Sequence, residues 1–200
     1  MNNFIEEYQL VSEEDCNYII NWFEQQTNLH QPGLVGINPS VVDLECKDST
    51  DIHMDIRNQD DGVTDILMSA IEIAIKEYKK KYYWLDYVDP WNIFSGYNLQ
   101  RYLPGQGYPA THSEQSGSGE QSNCLLVWTV YLNDVTDEGG TFFPYQRQLV
   151  SAKAGKVCLF PGPWTHMHRG VISPSQTKYI ATGWFNYNSV NLNSVDELTE

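Results

Sequence analysis

Hydrophobic positions recur at helical spacing twice in the first half of the chain and at alternating spacing through most of the second half. Ser12-Glu13-Glu14-Asp15 reads as an N-cap with an acidic first turn. Cys16, Ile19, Ile20 and Phe23 follow on one face, which predicts a helix ending near Gln26. Phe4 and Ile5 form a short apolar segment ahead of it. From about Asn28 to Asn58, Pro32, Gly33, Gly36 and Pro39 break any period, with Val41-Val42-Asp43-Leu44 as a candidate strand. Asp60-Asp61-Gly62 then leads into Val63, Ile66, Leu67, Ala70, Ile71, Ala74, Ile75 and Tyr78, the stripe of a long amphipathic helix. Its basic end, Lys76, Lys79, Lys80 and Lys81, suits the negative pole of the helix dipole.

After Trp91 the period changes to two, and strands are expected over Phe94–Tyr102, Tyr108–Glu114, Asn123–Leu132, Gly140–Phe143, Leu149–Ser151, Lys156–Phe160, His166–Val171 and Lys178–Tyr187. Turn signals separate them, among them Pro104-Gly105, Glu138-Gly139-Gly140, Pro161-Gly162-Pro163 and Ser173-Pro174. Helices followed by such a series predict a mostly β fold with N-terminal helices packed on one sheet of a jelly-roll core. The expected organisation is one domain over residues 1–187, with helical support to about 91 and the core over about 92–187. A polar, acidic tail follows at 188–200.

Charge narrows the partners. The formal net charge of −14 argues against nucleic acid, since phosphate binding needs clustered Lys and Arg. Cys16, Cys46, Cys124 and Cys158 show no C-x-x-C spacing and read as reduced thiols. The first residues lack the basic start and apolar core of a signal peptide, and no stretch is long and apolar enough to span a bilayer. A cytoplasmic protein without membrane attachment is expected.

The candidate chemistry centres on His112-Ser113-Glu114 and His168. On a strand, residues i and i+2 share a face, so His112 and Glu114 can bind one metal from a single strand end. A third ligand from elsewhere in the sheet, His168, would complete the two-histidine, one-carboxylate set that suits non-haem Fe(II). A lone His-x-Glu is a weak signal, and His53-Met54-Asp55 offers a rival pair that a long helix would separate from its partners. His166 competes with His168 for the distal position.

These residues resemble the prolyl 4-hydroxylase-like branch of the Fe(II)/2-oxoglutarate-dependent dioxygenase superfamily, over roughly Phe94 to Tyr187. Leu99-Gln100-Arg101-Tyr102-Leu103-Pro104-Gly105 is similar to the strand and turn ahead of the family's metal motif, and His112-Ser113-Glu114 takes the place of its usual His-x-Asp. Val130-Tyr131-Leu132-Asn133-Asp134 with Gly139-Gly140-Thr141-Phe142-Phe143-Pro144 resembles its central strand and turn. His168-Arg169-Gly170 resembles its distal histidine, and Lys178 with Thr182 and Trp184 its last strand. The resemblance implies a double-stranded β-helix with Fe(II) on His112, Glu114 and His168. It also implies 2-oxoglutarate as co-substrate, held by Tyr102 and Lys178 with Thr182 and Trp184, O2 as oxidant, and ascorbate as a supporting reductant. The one departure is Glu114, whose carboxylate reaches one methylene further than aspartate.

What the resemblance implies for function is hydroxylation, with succinate and CO2 as products and a proline in a peptide or protein as the expected substrate. A free amino acid or other small molecule is the alternative within the superfamily. A cupin-like metal site without 2-oxoglutarate, built on His166-Met167-His168, and a catalytically silent jelly roll are the alternatives outside it. Ser116-Gly117-Ser118-Gly119, just after the metal motif, is a candidate for a loop that closes on substrate. Oligomeric state is not encoded in any of these features.

Overall fold

Ser12 begins the first helix as the sequence predicts: its Oγ accepts from the Asp15 amide at 3.0 Å, and α1 runs over Glu13–Gln25 with Cys16, Ile19 and Phe23 buried. The computed structural model describes residues 2–36, 41–57, 62–117 and 119–188. The expected acidic tail beyond residue 188, the Asp60-Asp61 lead-in and Ser118 of the Gly-rich loop lie outside them. The second helix, α2 (Val63–Lys81), starts at Gly62 with φ of 70° and buries Val63, Leu67, Ala70, Ile71, Ala74 and Tyr78. Its last turn carries Lys79, Lys80 and Lys81. Among the described residues, no helix is long and apolar enough to cross a membrane.

The strands are β1 (Glu6–Gln9), β2 (Gln31–Pro32), β3 (Thr50–Asp55), β4 (Trp91–Tyr102), β5 (Cys124–Tyr131), β6 (Thr141–Phe143), β7 (Gln148–Val150), β8 (Lys156–Pro161), β9 (Arg169–Gly170) and β10 (Lys178–Tyr187). Seven form one antiparallel sheet in the order β1-β8-β5-β10-β4-β3-β2, and three form a smaller one, β7-β6-β9. The result is a jelly roll, the double-stranded β-helix, with both helices on the outer face of the large sheet.

Period-2 alternation sorts each central strand into two sets. Tyr97, Leu99, Leu126, Trp128, Val130, Val157, Leu159, Ala181 and Phe185 join the α1 and α2 stripes in the larger hydrophobic core. Val127, Tyr131, Cys158 and Phe160 point the other way, towards Phe143 and Val150 of the small sheet. At roughly 25 cal/mol per Å² of apolar surface, burying such layers is the main stabilising term.

Four expectations change. Tyr108–Glu114 is not a strand; it makes one bridge, His112 with His168, and two further backbone bonds, from the Gly170 amide to the Tyr108 carbonyl and from the Glu114 amide to the Gly162 carbonyl. Pro109 lacks an N–H, which interrupts any ladder there. The strand expected at His166–Val171 shrinks to β9, because Pro163 opens a short 3-10 turn over Trp164–His166. The N-terminal segment supplies strands as well as helices: β1 lies beside β8, and β3, inside the stretch read as irregular, pairs with β4. The candidate strand at Val41 is one bridge to Val35.

Candidate active site

The inner face of the large sheet lines a cavity of about 600 Å³. Alternate residues of β10 (Lys178, Ile180, Thr182, Trp184), β4 (Phe94, Asn98, Gln100, Tyr102) and β5 (Val127, Thr129, Tyr131) form its wall. His112, Glu114 and His168 meet there with one donor atom each, all within 4.8 Å of one another. No other set of three ligand-type side chains converges in this way among the described residues.

The isolated bridge is what brings the two histidines together. The amide of His112 donates to the His168 carbonyl at 2.9 Å, and the His168 amide returns the bond at 2.8 Å. Each ring is then fixed by its other nitrogen. His112 Nδ1 donates to the Ala110 carbonyl at 2.8 Å, and His168 Nδ1 to the His166 carbonyl at 3.0 Å. A carbonyl can only accept, so both Nδ1 atoms carry a proton, and in the neutral rings both Nε2 atoms keep a free lone pair. Those Nε2 atoms each lie 3.5 Å from Glu114 Oε1. Tyr108 stacks on His112, with centroids 3.9 Å apart and planes 12° apart, and Phe143 and Phe160 pack against His168. Without a metal each Nε2 can take up a proton instead; burial by itself would raise the Glu114 carboxyl, but hydrogen bonding and charge from His112 and His168 in that protonated form outweigh it. The group sits well below the ordinary carboxylate range.

Farther along the wall, Lys178 is buried at 5% exposure and its Nζ lies 4.7 Å from the centre of the Tyr102 ring. Loss of hydration lowers this lysine to about 8. Tyr102 is buried and donates to Gln100 Oε1 at 3.2 Å, and burial followed by the nearby Asp51 charge keeps its phenol protonated. Thr182 Oγ1 is 3.5 Å from Thr129 Oγ1. Trp184 meets the triad directly: its indole Nε1 donates to Glu114 Oε2 at 2.9 Å.

The rival histidines lie elsewhere. His166 Nε2 donates to the Asn3 carbonyl at 2.8 Å, while its Nδ1 accepts from Thr165. The 3-10 turn aims this ring away from His168, which removes the His-Met-His pair on which a cupin-like site would rest. His53 lines the cavity on β3, bonded to Asn98 at 3.0 Å, and Asp55 is paired with exposed Arg57. Sequence reasoning passed over Lys47 and Asp51, a buried ion pair at 2.6 Å in the cavity wall. Ser49 and Gln100 also donate to Asp51, which ties the pair through Gln100 to Tyr102. Both charges fall in the segment without hydrophobic period, where no pattern marks a buried residue.

A family model described as the 2OG-Fe(II) oxygenase superfamily matches residues 97–186, a span that starts on β4, ends on β10 and contains His112, Glu114 and His168. Over that span the chain carries a 2OG-Fe(II) oxygenase domain. As a 2OG-Fe(II) oxygenase it is a 2-oxoglutarate-dependent dioxygenase, working with Fe(II), 2-oxoglutarate and O2. No curated protein matches it by sequence. Several solved structures share its fold. One is the 2OG complex of a viral collagen prolyl hydroxylase from Paramecium Bursaria Chlorella virus-1, with TM-score 0.68 and 18% identity, covering 92% of this chain and 97% of that one. A second is a Pseudomonas putida prolyl-4-hydroxylase, with TM-score 0.69 and 13% identity over 94% and 95% of the two chains. A third, from Trichoplax adhaerens, is a prolyl hydroxylase in complex with a hypoxia inducible factor oxygen degradation domain peptide fragment. It aligns with TM-score 0.71 and 12% identity over 93% of this oxygenase and 84% of its own chain.

Proposed function

We propose that this oxygenase hydroxylates a prolyl residue in a peptide or protein, with His112, Glu114 and His168 holding Fe(II) and with Lys178 and Tyr102 binding the distal carboxylate of 2-oxoglutarate. Lys178 carries the reading. It is a buried ammonium in the same cavity as the triad, and loss of hydration is the one cause of its shift, so among the described residues no carboxylate offsets its charge. A buried ion without a partner costs roughly several kcal/mol, and the far end of a bound dicarboxylate would supply that partner. The donor set fits the metal in the same way: two neutral imidazole nitrogens with free lone pairs and one ionised carboxylate oxygen converge on one point.

When bound, the iron and co-substrate supply activation of O2 through oxidative decarboxylation, with succinate and CO2 as products. The chain's residues bind, orient and shield. The backbone bonds to His112 and His168 keep their Nε2 atoms as acceptors, and Lys178 and Tyr102 offer a cation and an O–H donor to one carboxylate. Thr129 and Thr182 place hydroxyls along the same wall, while Phe94, Val127, Phe160 and Ile180 keep it largely apolar and limit water. The pairing of β1 with β8 and the packing of α1 and α2 on the large sheet support a single oxygenase unit over residues 1–187. Proline as the target is supported by the named substrates of the fold's neighbours, a viral collagen prolyl hydroxylase and a prolyl hydroxylase complexed with a peptide.

The test is the purified protein with Fe(II), ascorbate, 2-oxoglutarate and a panel of proline peptides, read by succinate release and by mass spectrometry. Succinate should rise with a peptide whose proline gains one oxygen atom, and His168→Ala should abolish both while His166→Ala retains them. Oxygen gain on a free amino acid but on no peptide would overturn the peptide substrate. Loss of iron in His166→Ala but not in His168→Ala would overturn the ligand set.

A further inference from the structure

The superfamily resemblance leaves Glu114 as the unusual ligand and assigns Trp184 to the co-substrate. The geometry joins these two facts. Glu114 presents its two carboxylate oxygens to different partners: Oε1 lies 3.5 Å from both His112 Nε2 and His168 Nε2, and Oε2 accepts the Trp184 indole N–H at 2.9 Å. An indole N–H can only donate, so the bond occupies a lone pair of Oε2 and leaves Oε1 turned towards the histidines. A glutamate has one more rotatable bond than an aspartate and can swing its carboxylate or offer both oxygens at once. A donor fixed on the sheet removes that freedom.

Trp184 is itself held for this task. Gly183 faces Tyr97 on β4, yet Phe185 faces Ile93 where unbroken pairing would give Ser95, so the register slips by two residues across Trp184. On the other side Trp184 keeps regular pairing with Val127 of β5. Such an irregularity re-aims a side chain without ending the strand. The indole also meets Phe94 edge to face, with centroids 6.4 Å apart. Behind it, Gly183 lets the Trp128 ring pack against the strand where any Cβ would overlap it.

We infer that Trp184 is a positioning residue for the metal ligand Glu114: its indole N–H engages Oε2, selects Oε1 as the coordinating atom, and so allows glutamate to stand where the family has aspartate. The inference rests on His112, Glu114 and His168 being the iron ligands. Residues that orient a ligand in this way are typically worth about 10- to 100-fold in metal affinity.

The experiment titrates Fe(II), and Co(II) as a spectroscopic substitute, into the protein without 2-oxoglutarate or substrate. Wild type, Trp184→Phe, Glu114→Asp and the double variant are compared, with His168→Ala as the control for the ligand set. Trp184→Phe keeps an aromatic ring and removes the donor. It should weaken metal binding by about 10-fold or more in the wild-type background and change the visible Co(II) spectrum. In the Glu114→Asp background the same change should have little effect, because the shorter carboxylate no longer reaches the indole. A purely structural tryptophan would weaken both backgrounds equally, and that result, or no weakening in either, overturns the inference. If His168→Ala binds metal as well as wild type, the ligand set itself fails, which is a separate outcome. Should Trp184→Phe fold poorly, nitrogen-15 NMR of Glu114→Asp decides: one of the six tryptophan indole resonances should lose its hydrogen-bonded shift. Six unchanged resonances would overturn the inference.

Discussion

Burial lowers Lys178 from its ordinary value of 10.5 to about 8, and this single side chain links proton, co-substrate and fold. Between about 8 and 10.5 the unfolded chain binds more protons here than the folded one, so this residue's penalty on folding is full below the window and is relieved as pH rises through it. A bound dicarboxylate reverses the effect by favouring the charged ammonium. Binding 2-oxoglutarate above pH 8 should therefore take up most of one proton, measurable by calorimetry in buffers of differing ionisation enthalpy, and affinity should fall as pH climbs past that point. Lys178→Ala should cost about 3 kcal/mol of co-substrate binding, roughly 100-fold, with iron affinity little changed. A 2-oxoglutarate affinity equal to wild type would place the carboxylate elsewhere. At this scale the convergence of His112, Glu114, His168 and Lys178 on one cavity was legible, since each is a chemically distinctive residue and their order in the chain suits a metal with a chelating co-substrate. The Trp184–Glu114 bond and the Lys47–Asp51 pair were not, because nothing in a sequence says which tryptophan faces a cavity or which charge is buried.

Among the elements, α2 was the most legible, because Val63 to Tyr78 repeat at helical spacing and the structure buries that stripe against the sheet. β4, β5, β8 and β10 followed from alternation. β3 was hidden because Ile52 and Met54 carry too few apolar positions to declare a period, and its place depends on β4, about forty residues later in the chain. The stretch from Tyr108 to Glu114 misled in the opposite sense: its composition suits a strand, but Pro109 leaves it one bridge. β10 is the element on which a local change should register most sharply. Gly183→Ala drives a methyl group into the buried Trp128 ring, and overpacking of this kind costs about 1–3 kcal/mol. The urea midpoint should fall with the slope of the transition unchanged; a wild-type midpoint would mean that the ring has room to move.

For the whole molecule, the jelly roll could be anticipated from helices followed by turn-punctuated strands, whereas the strand order could not, since β1 reaches β8 across most of the chain and β10 inserts between β4 and β5. That order gives the large sheet two unlike sides, helices on one and the cavity on the other. Odd and even positions of β10 therefore answer to different selections. Randomising Lys178, Ile180, Thr182 and Trp184 should yield variants that express and melt much as the parent does but turn over poorly. Randomising Ala181, Gly183 and Phe185 should yield variants that lose yield and melting temperature first. The chain can thus explore new substrates along one set of codons while its foldability is guarded by the codons between them.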